Sequence, residues 1–257
     1  MRFRRPFDIN EAQVELLGDI VSKYYQDTKD KIPVPRAWLS MGDEALWERL
    51  IRVIIAMGRS APSYRLMASP DFGCLSIGSM MDFQEKKGRI ALIERTHHIL
   101  AKHQIRYCSP RKNASVKARV IVDNLNDPSI FSSGEFVLIE GIRSSPDPRF
   151  YLMERVNGYG MKSASEFLTE IGYSQDYLAF DSRLKRAFSQ IFDRDFDRCI
   201  RTPGDYMDFE QVFREEICPK LGITPAELDA IVFWNYGSIL KGLKRSSKVP
   251  WRQSGEK

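Results

Sequence analysis

Residues 149–181 read RFYLMERVNGYGMKSASEFLTEIGYSQDYLAFD, and the turn Asn157-Gly158-Tyr159-Gly160 divides this stretch into two short helical runs. The spacing predicts helices over 149–156 and 161–171, joined as a hairpin in which both glycines can take backbone angles closed to other residues. Read locally, the turn is either an ordinary helix–turn–helix corner with a glycine C-cap, or a ready-made anion site. In the second case, successive backbone N–H groups lie beside the N-terminus of the second helix, where the helix dipole favours negative charge. Lys162 stands two residues past Gly160, in the first turn of that helix. A cation is the wrong charge at that helix end, and the dipole, with partial burial, favours the neutral nucleophilic amine. Asp181 follows nineteen residues later, ahead of the next helical run. It is either a plain N-cap or a carboxylate serving the same chemistry as Lys162, and capping would fix its position for either role.

Outward from this segment the pattern is helix after helix, and the fold class it predicts is all-α. Ser40, with Asp43 three positions on, reads as the cap of a helix carrying Leu46, Leu50, Val53, Ile54 and Met57. Further helices are expected over 89–103, 114–125, 132–142, from Asp181 to about residue 192, and over 206–217. Thr224-Pro225-Ala226-Glu227 opens the last, with a capping threonine, proline at the first helical position and a glutamate reaching back. Residues 60–85 resist assignment, because Gly, Ser and Pro interrupt every period.

A chain of 257 residues with 43% hydrophobic and 28% charged residues can bury a full core, which excludes a disordered protein. No apolar run approaches the roughly 18–20 residues of a membrane helix, and no apolar stretch follows the basic start as in a secretory signal. Cys74, Cys108, Cys199 and Cys218 are far apart without a C-x-x-C pair, and the three histidines lack ligand spacing. Reduced thiols and no metal site are therefore expected. The net charge of +5 leans toward a nucleic-acid or anionic partner.

With Gly158-Tyr159-Gly160-Met161-Lys162, the small Ala164 and the later Asp181, the segment resembles the helix-hairpin-helix DNA glycosylases. It is most similar to the archaeal-type 8-oxoguanine DNA glycosylase/AP lyases. Weaker similarity extends over 44–67, 113–124 and 229–241. The resemblance implies two helical domains, 31–173 ending in the helix-hairpin-helix, and 1–30 together with 174–257. Double-stranded DNA with a damaged base would lie across the cleft between them, the lesion nucleotide flipped out. Lys162 would attack the sugar and Asp181 would stabilise developing positive charge, giving glycosylase and lyase activity. Asn157, Gly158, Tyr159 and Gly160 would bind the DNA backbone, and Arg59 and Ser60 would approach the lesion. Trp234 is either a stacking aromatic of the base pocket or a core tryptophan, and Lys241 aligns with the residue at which the subfamily ends. Here 16 residues follow it, so no terminal carboxylate is available there to read the base. Within this tail, Trp251 beside Pro250 is expected to dock on the helical body. The resemblance further implies a monomer acting on DNA inside the cell, without membrane, metal or redox cofactor. A monovalent cation on the hairpin carbonyls would be compatible with it.

Overall fold

The computed structural model describes residues 5–58 and 60–246, which form two compact units. One unit comprises 5–34 with 174–246, and the other comprises 35–173. The chain begins in the first with α1 (Glu11–Thr28), opened by a capping box in which Asn10 and Gln13 exchange side-chain and backbone bonds. It then builds the second unit through α2 (Asp43–Ala56), α3 (Ser60–Met67), α4 (Ile77–Lys102), α5 (Val116–Leu125), α6 (Leu138–Ser144), α7 (Pro148–Arg155) and α8 (Met161–Glu170). Returning to the first, it adds α9 (Ser182–Ile191), α10 (Phe196–Cys199), α11 (Pro203–Val212), α12 (Cys218–Leu221) and α13 (Pro225–Ser246).

The 35–173 unit is organised around α2, which buries Leu46, Trp47, Leu50, Ile51, Val53, Ile54 and Ile55. Trp47 is fully buried, and its indole N–H donates to the Leu75 carbonyl at 2.9 Å. Several expectations are corrected here. Ser40 ends a short 3₁₀ turn, and the N-cap of α2 is Gly42. The unreadable 60–85 region holds α3, a 3₁₀ turn over Pro70–Leu75 and the first half of α4. Gly88 breaks α4 with a left-handed φ of 83°, so two helices with different faces run through one sequence, which blurs any single period. The helix expected over 132–142 is partly a β-hairpin, with Phe131–Ser132 pairing Glu135–Phe136. Ser133 and Gly134 both take positive φ, the geometry of a tight hairpin turn, and α6 begins only afterwards. Phe131 packs against both Trp47 and Phe136, each at 5.2 Å between ring centroids.

The other unit has an aromatic core. Phe188 stacks on Phe213 at 4.4 Å, and Phe7, Phe180, Phe192, Phe196 and Phe209 close around them. α11 starts earlier than the expected residue 206, because Thr202 and Asp205 form a capping box with Pro203 at the first position. The turn that follows, Phe213–Ile217, is a π-helix. Pro219 has no N–H to donate to Glu215 and its ring crowds that carbonyl, so the turn widens. The Thr224 box forms as read: Thr224 N–H donates to Glu227 at 2.7 Å and Glu227 N–H to Thr224 at 3.2 Å. Glu227 also accepts from the Tyr25 hydroxyl at 2.9 Å, fastening α13 to α1. No helix among the described residues is long and apolar enough to cross a membrane.

Candidate functional site

The hairpin is held from three sides. Gly158 adopts φ +84°, and a Cβ there would sit 3.0 Å from Val120 Cγ1 on α5, so glycine is required twice over. Gly160 is extended, with φ −123° and ψ −175°, and does not use the freedom expected of it. A Cβ on it would meet nothing within 4 Å, so the fold itself leaves that surface open. Asn124 is fully buried, and its amide bonds the hairpin backbone at Asn157 in both directions, accepting from N–H at 2.8 Å and donating to C=O at 3.2 Å. Tyr159 differs from the other residues of the turn. Its side chain is 8% exposed, its hydroxyl donates to the Leu50 carbonyl at 3.2 Å, and its ring packs edge-on to Phe167. The tyrosine therefore anchors the turn in the core, leaving Asn157, Gly158 and Gly160 exposed. Gly160, the N-cap of α8, offers no side-chain acceptor to the first-turn N–H groups. That is the geometry of a helix-terminal anion site.

Lys162 is one third exposed in that first turn, and its ammonium is ion-paired with Glu166, one turn farther along α8. The unfavourable dipole is thus opposed by a carboxylate that the local sequence reading did not include. One turn beyond, Glu170 pairs with Arg52 of α2 at 3.1 Å, while its other oxygen is buried without a hydrogen bond. Burial, with Glu166 adding to it, pushes the Glu170 carboxyl up to about 7 from the ordinary 4.5, against the opposing pull of Arg52, Arg49 and Lys162. A carboxyl raised in the folded state contributes stability that is complete below pH 4.5 and is lost as pH rises through 7. Denaturant titrations of the wild type should therefore show stability falling as pH rises from about 5 to 8. Glu170→Gln should lack this component of the slope, and parallel curves for the two proteins would refute the assignment.

The loop before α3 is fastened from beneath. Lys117, 6% exposed, donates to the carbonyls of Ile55 at 3.1 Å and Met57 at 2.8 Å, capping the C-terminal end of α2. Burial holds its amine down to about 8. Arg106 donates to the Gly58 carbonyl at 3.0 Å. Ser60 begins α3 and is partly exposed, and its carbonyl accepts from the Ser63 hydroxyl. Arg59 lies outside the described residues. A cavity of about 1050 Å³ opens between this loop and the hairpin, lined by Met57, Tyr107, Lys112, Lys117, Val120 and Gly158.

In the unit of 5–34 and 174–246, Asp181 is the N-cap of α9, its Oδ1 accepting from the N–H groups of Arg183 and Leu184, both at 2.8 Å. The strand-like segment leading to it is pinned residue by residue. Glu210, 1% exposed, accepts from Leu178 N–H at 2.9 Å, Asp229 accepts from Ala179 N–H at 3.1 Å, and the Tyr206 hydroxyl accepts from Phe180 N–H at 3.0 Å. The Tyr206 hydroxyl in turn donates to the Leu178 carbonyl. α9 packs on α13, where the Arg183 guanidinium lies 4.5 Å above the Phe233 ring. Trp234 beside it is 42% exposed, which excludes the core reading, with the Lys31 amine 4.9 Å from its ring. Lys241 lies two turns farther along the same helix face and is exposed. α13 runs on to Ser246, past Lys241, and Trp251 lies outside the described residues.

The residues that the local reading omitted carried signals nonetheless. Glu210 falls on the apolar stripe of Tyr206, Phe209 and Phe213, and Asn124 on that of Ile121 and Leu125, so each is a polar group destined for burial. Among the described residues, no cluster of three or more His, Cys, Asp or Glu could hold a metal ion.

Comparison with known proteins places this arrangement in context. A curated 8-oxoguanine DNA glycosylase/AP lyase of Thermoplasma acidophilum is 28% identical over 200 residues, covering 77% of this chain and 83% of that one. The crystal structure of Methanocaldococcus jannaschii 8-oxoguanine DNA glycosylase superposes with a TM-score of 0.60 at 16% identity, over 86% of this chain and 92% of that one. Its complex with a 15mer DNA containing 8-oxoguanine matches at 0.58 and 18%, over 88% and 97%. Thermotoga maritima Tm1821, also an 8-oxoguanine DNA glycosylase, matches at 0.60 and 18%, over 86% and 96%. The 8-oxoguanine DNA glycosylase family model covers residues 79–223, more than half of the sequence, including the hairpin, Lys162 and Asp181, and the chain belongs to that family.

Proposed function

We propose that this protein excises 8-oxoguanine from DNA and then cleaves the strand at the abasic site, with Lys162 as nucleophile and Asp181 as the supporting carboxylate. The observation that carries the reading is the lysine in the first turn of α8, behind an open glycine N-cap at a helix-hairpin-helix. The hairpin amides hold a backbone phosphate near the lesion, which brings the sugar to Lys162 Nζ. The base must leave the stack for its glycosidic carbon to be reached. The amine then bonds to C1′ as the C1′–N9 electrons depart with the base, and the C1′–O4′ bond opens, its electrons going to O4′, to leave the iminium. Loss of a C2′ proton expels the 3′ phosphate, and water releases the lysine. Asp181, fixed by its cap, offsets positive charge developing on the sugar. The exposed Trp234 provides a face on which the flipped base stacks. These steps use the chain's own groups and water, and call for no metal or redox cofactor.

Borohydride reduction of the protein mixed with duplexes, each carrying one lesion, tests the proposal. A covalent adduct with the 8-oxoguanine duplex, and none with undamaged DNA, is the expected result. A protein that only binds DNA would leave no adduct with any duplex. Preferential trapping on an oxidised pyrimidine would retain the chemistry and reject the substrate.

A further inference from the structure

Lys162 and Glu166 are paired in the order that helps a helix least. With lysine N-terminal to glutamate at i, i+4, the cation faces the positive end of the dipole and the anion the negative end. Helix stability therefore does not account for the pair. Neither side chain is freely solvated, Lys162 being 32% exposed and Glu166 18%. The charged and titratable groups around them include Glu170 on α8, Arg49 and Arg52 on α2, Tyr64 on α3 and Tyr159 of the hairpin. Arg52 is engaged by Glu170, and the ammonium of Lys162 by Glu166.

An ammonium has no lone pair, so a proton acceptor must touch Nζ before attack is possible. Resting on the reading of Lys162 as nucleophile, we propose that Glu166 is that acceptor, the general base that converts the lysine into an amine once substrate is bound. Before binding, the ion pair keeps the nitrogen protonated and unreactive. Bound DNA excludes water from the pair, and a neutral acid beside a neutral amine then costs less than two desolvated charges. The neighbouring Glu170 carboxyl, raised to about 7, reports how poorly this stretch of α8 supports a second carboxylate charge.

The protons balance without any other reactant. Of the three on the ammonium, one stays on the iminium nitrogen, one reaches the departing base, and one reaches O4′ as the sugar ring opens. Glu166 takes up and passes on the two that move, and it ends as the carboxylate it began as. The +1 charge of the ammonium is carried at the end by the iminium.

Glu166→Gln keeps the size of the side chain and a hydrogen-bonding oxygen but cannot take a proton. In single-turnover assays of the full chain on an 8-oxoguanine duplex at pH 7, base release should fall by about 10²-fold or more, with duplex binding unchanged. The variant's rate should climb with pH, as hydroxide replaces the missing base, over a range where the wild-type rate is level. Glu166→Ala should be rescued in proportion to added formate, a response that a merely structural role would not give. It also serves as the second test should the glutamine variant fail to fold. Wild-type rate and pH profile in Glu166→Gln, or a Glu166→Ala defect indifferent to formate, would overturn the assignment. Lys162→Gln in the same assay separates the two readings. If it still releases base, the nucleophile is misassigned. If it is inert while Glu166→Gln is normal, only the role of Glu166 falls.

Discussion

Lys162→Gln is expected to abolish base release, strand cleavage and borohydride trapping while leaving duplex binding and the fold intact. Glutamine preserves much of the length and polarity of lysine but has no amine to form an iminium, so no alternative route to a covalent intermediate exists at this position. The loss should be about four orders of magnitude or more in single-turnover base release, because the nucleophile takes part in every later step. Stability should barely respond. The side chain is one third exposed, and a helical pair in this order contributes no more than about 0.3–0.5 kcal/mol. Binding should persist because the hairpin amides are backbone groups, which the substitution does not touch. A trapped adduct in this variant would move the nucleophile to another amine.

Asp181→Asn should slow base release by about 10²–10⁴-fold without unfolding the protein. A single oxygen, Oδ1, accepts both capping bonds from Arg183 and Leu184, and an asparagine carbonyl can accept the same two. The expected stability change is below about 1 kcal/mol, whereas Asp181→Ala should lose the cap as well and cost about 1–2 kcal/mol. Comparing the two variants by thermal melting and single-turnover kinetics divides the charge of the residue from its structural role. Ordinary kinetics in Asp181→Asn would leave it a cap alone.

Both residues were legible because each stands at a local structural signal. The helix start at Asp181, the Thr224 capping box and the Gly158 turn depend on atoms within a few residues of one another. Their side chains and backbone meet whatever the rest of the chain does. The orientation of Tyr159 was not legible in the same way. A glycine-rich turn specifies where the backbone reverses, and not which of its residues faces inward. Tyr159 turns inward because the Leu50 carbonyl and the Phe167 ring are there to receive it. The expected helix over 132–142 failed for a related reason: its apolar residues suit either period, and the packing of Phe131 and Phe136 beside Trp47 belongs to a hairpin.

The sequence by itself determined most of the succession of helices, the hairpin, and the lysine and aspartate positions, because helix caps, turn angles and apolar periods are short-range properties of the chain. Only the tertiary structure decided the surroundings that govern their chemistry. Glu170 meets an arginine from α2, the Asn157 backbone meets a side chain from α5, and the segment before Asp181 is held by Tyr206, Glu210 and Asp229. Burial and charge pairing depend on which distant segments the core brings together, and they set both the proton affinity of Glu170 and the geometry of the hairpin. Even the Lys162–Glu166 pair, whose spacing is visible in the sequence, takes its environment from α2 packed against α8 and from Tyr64 of α3.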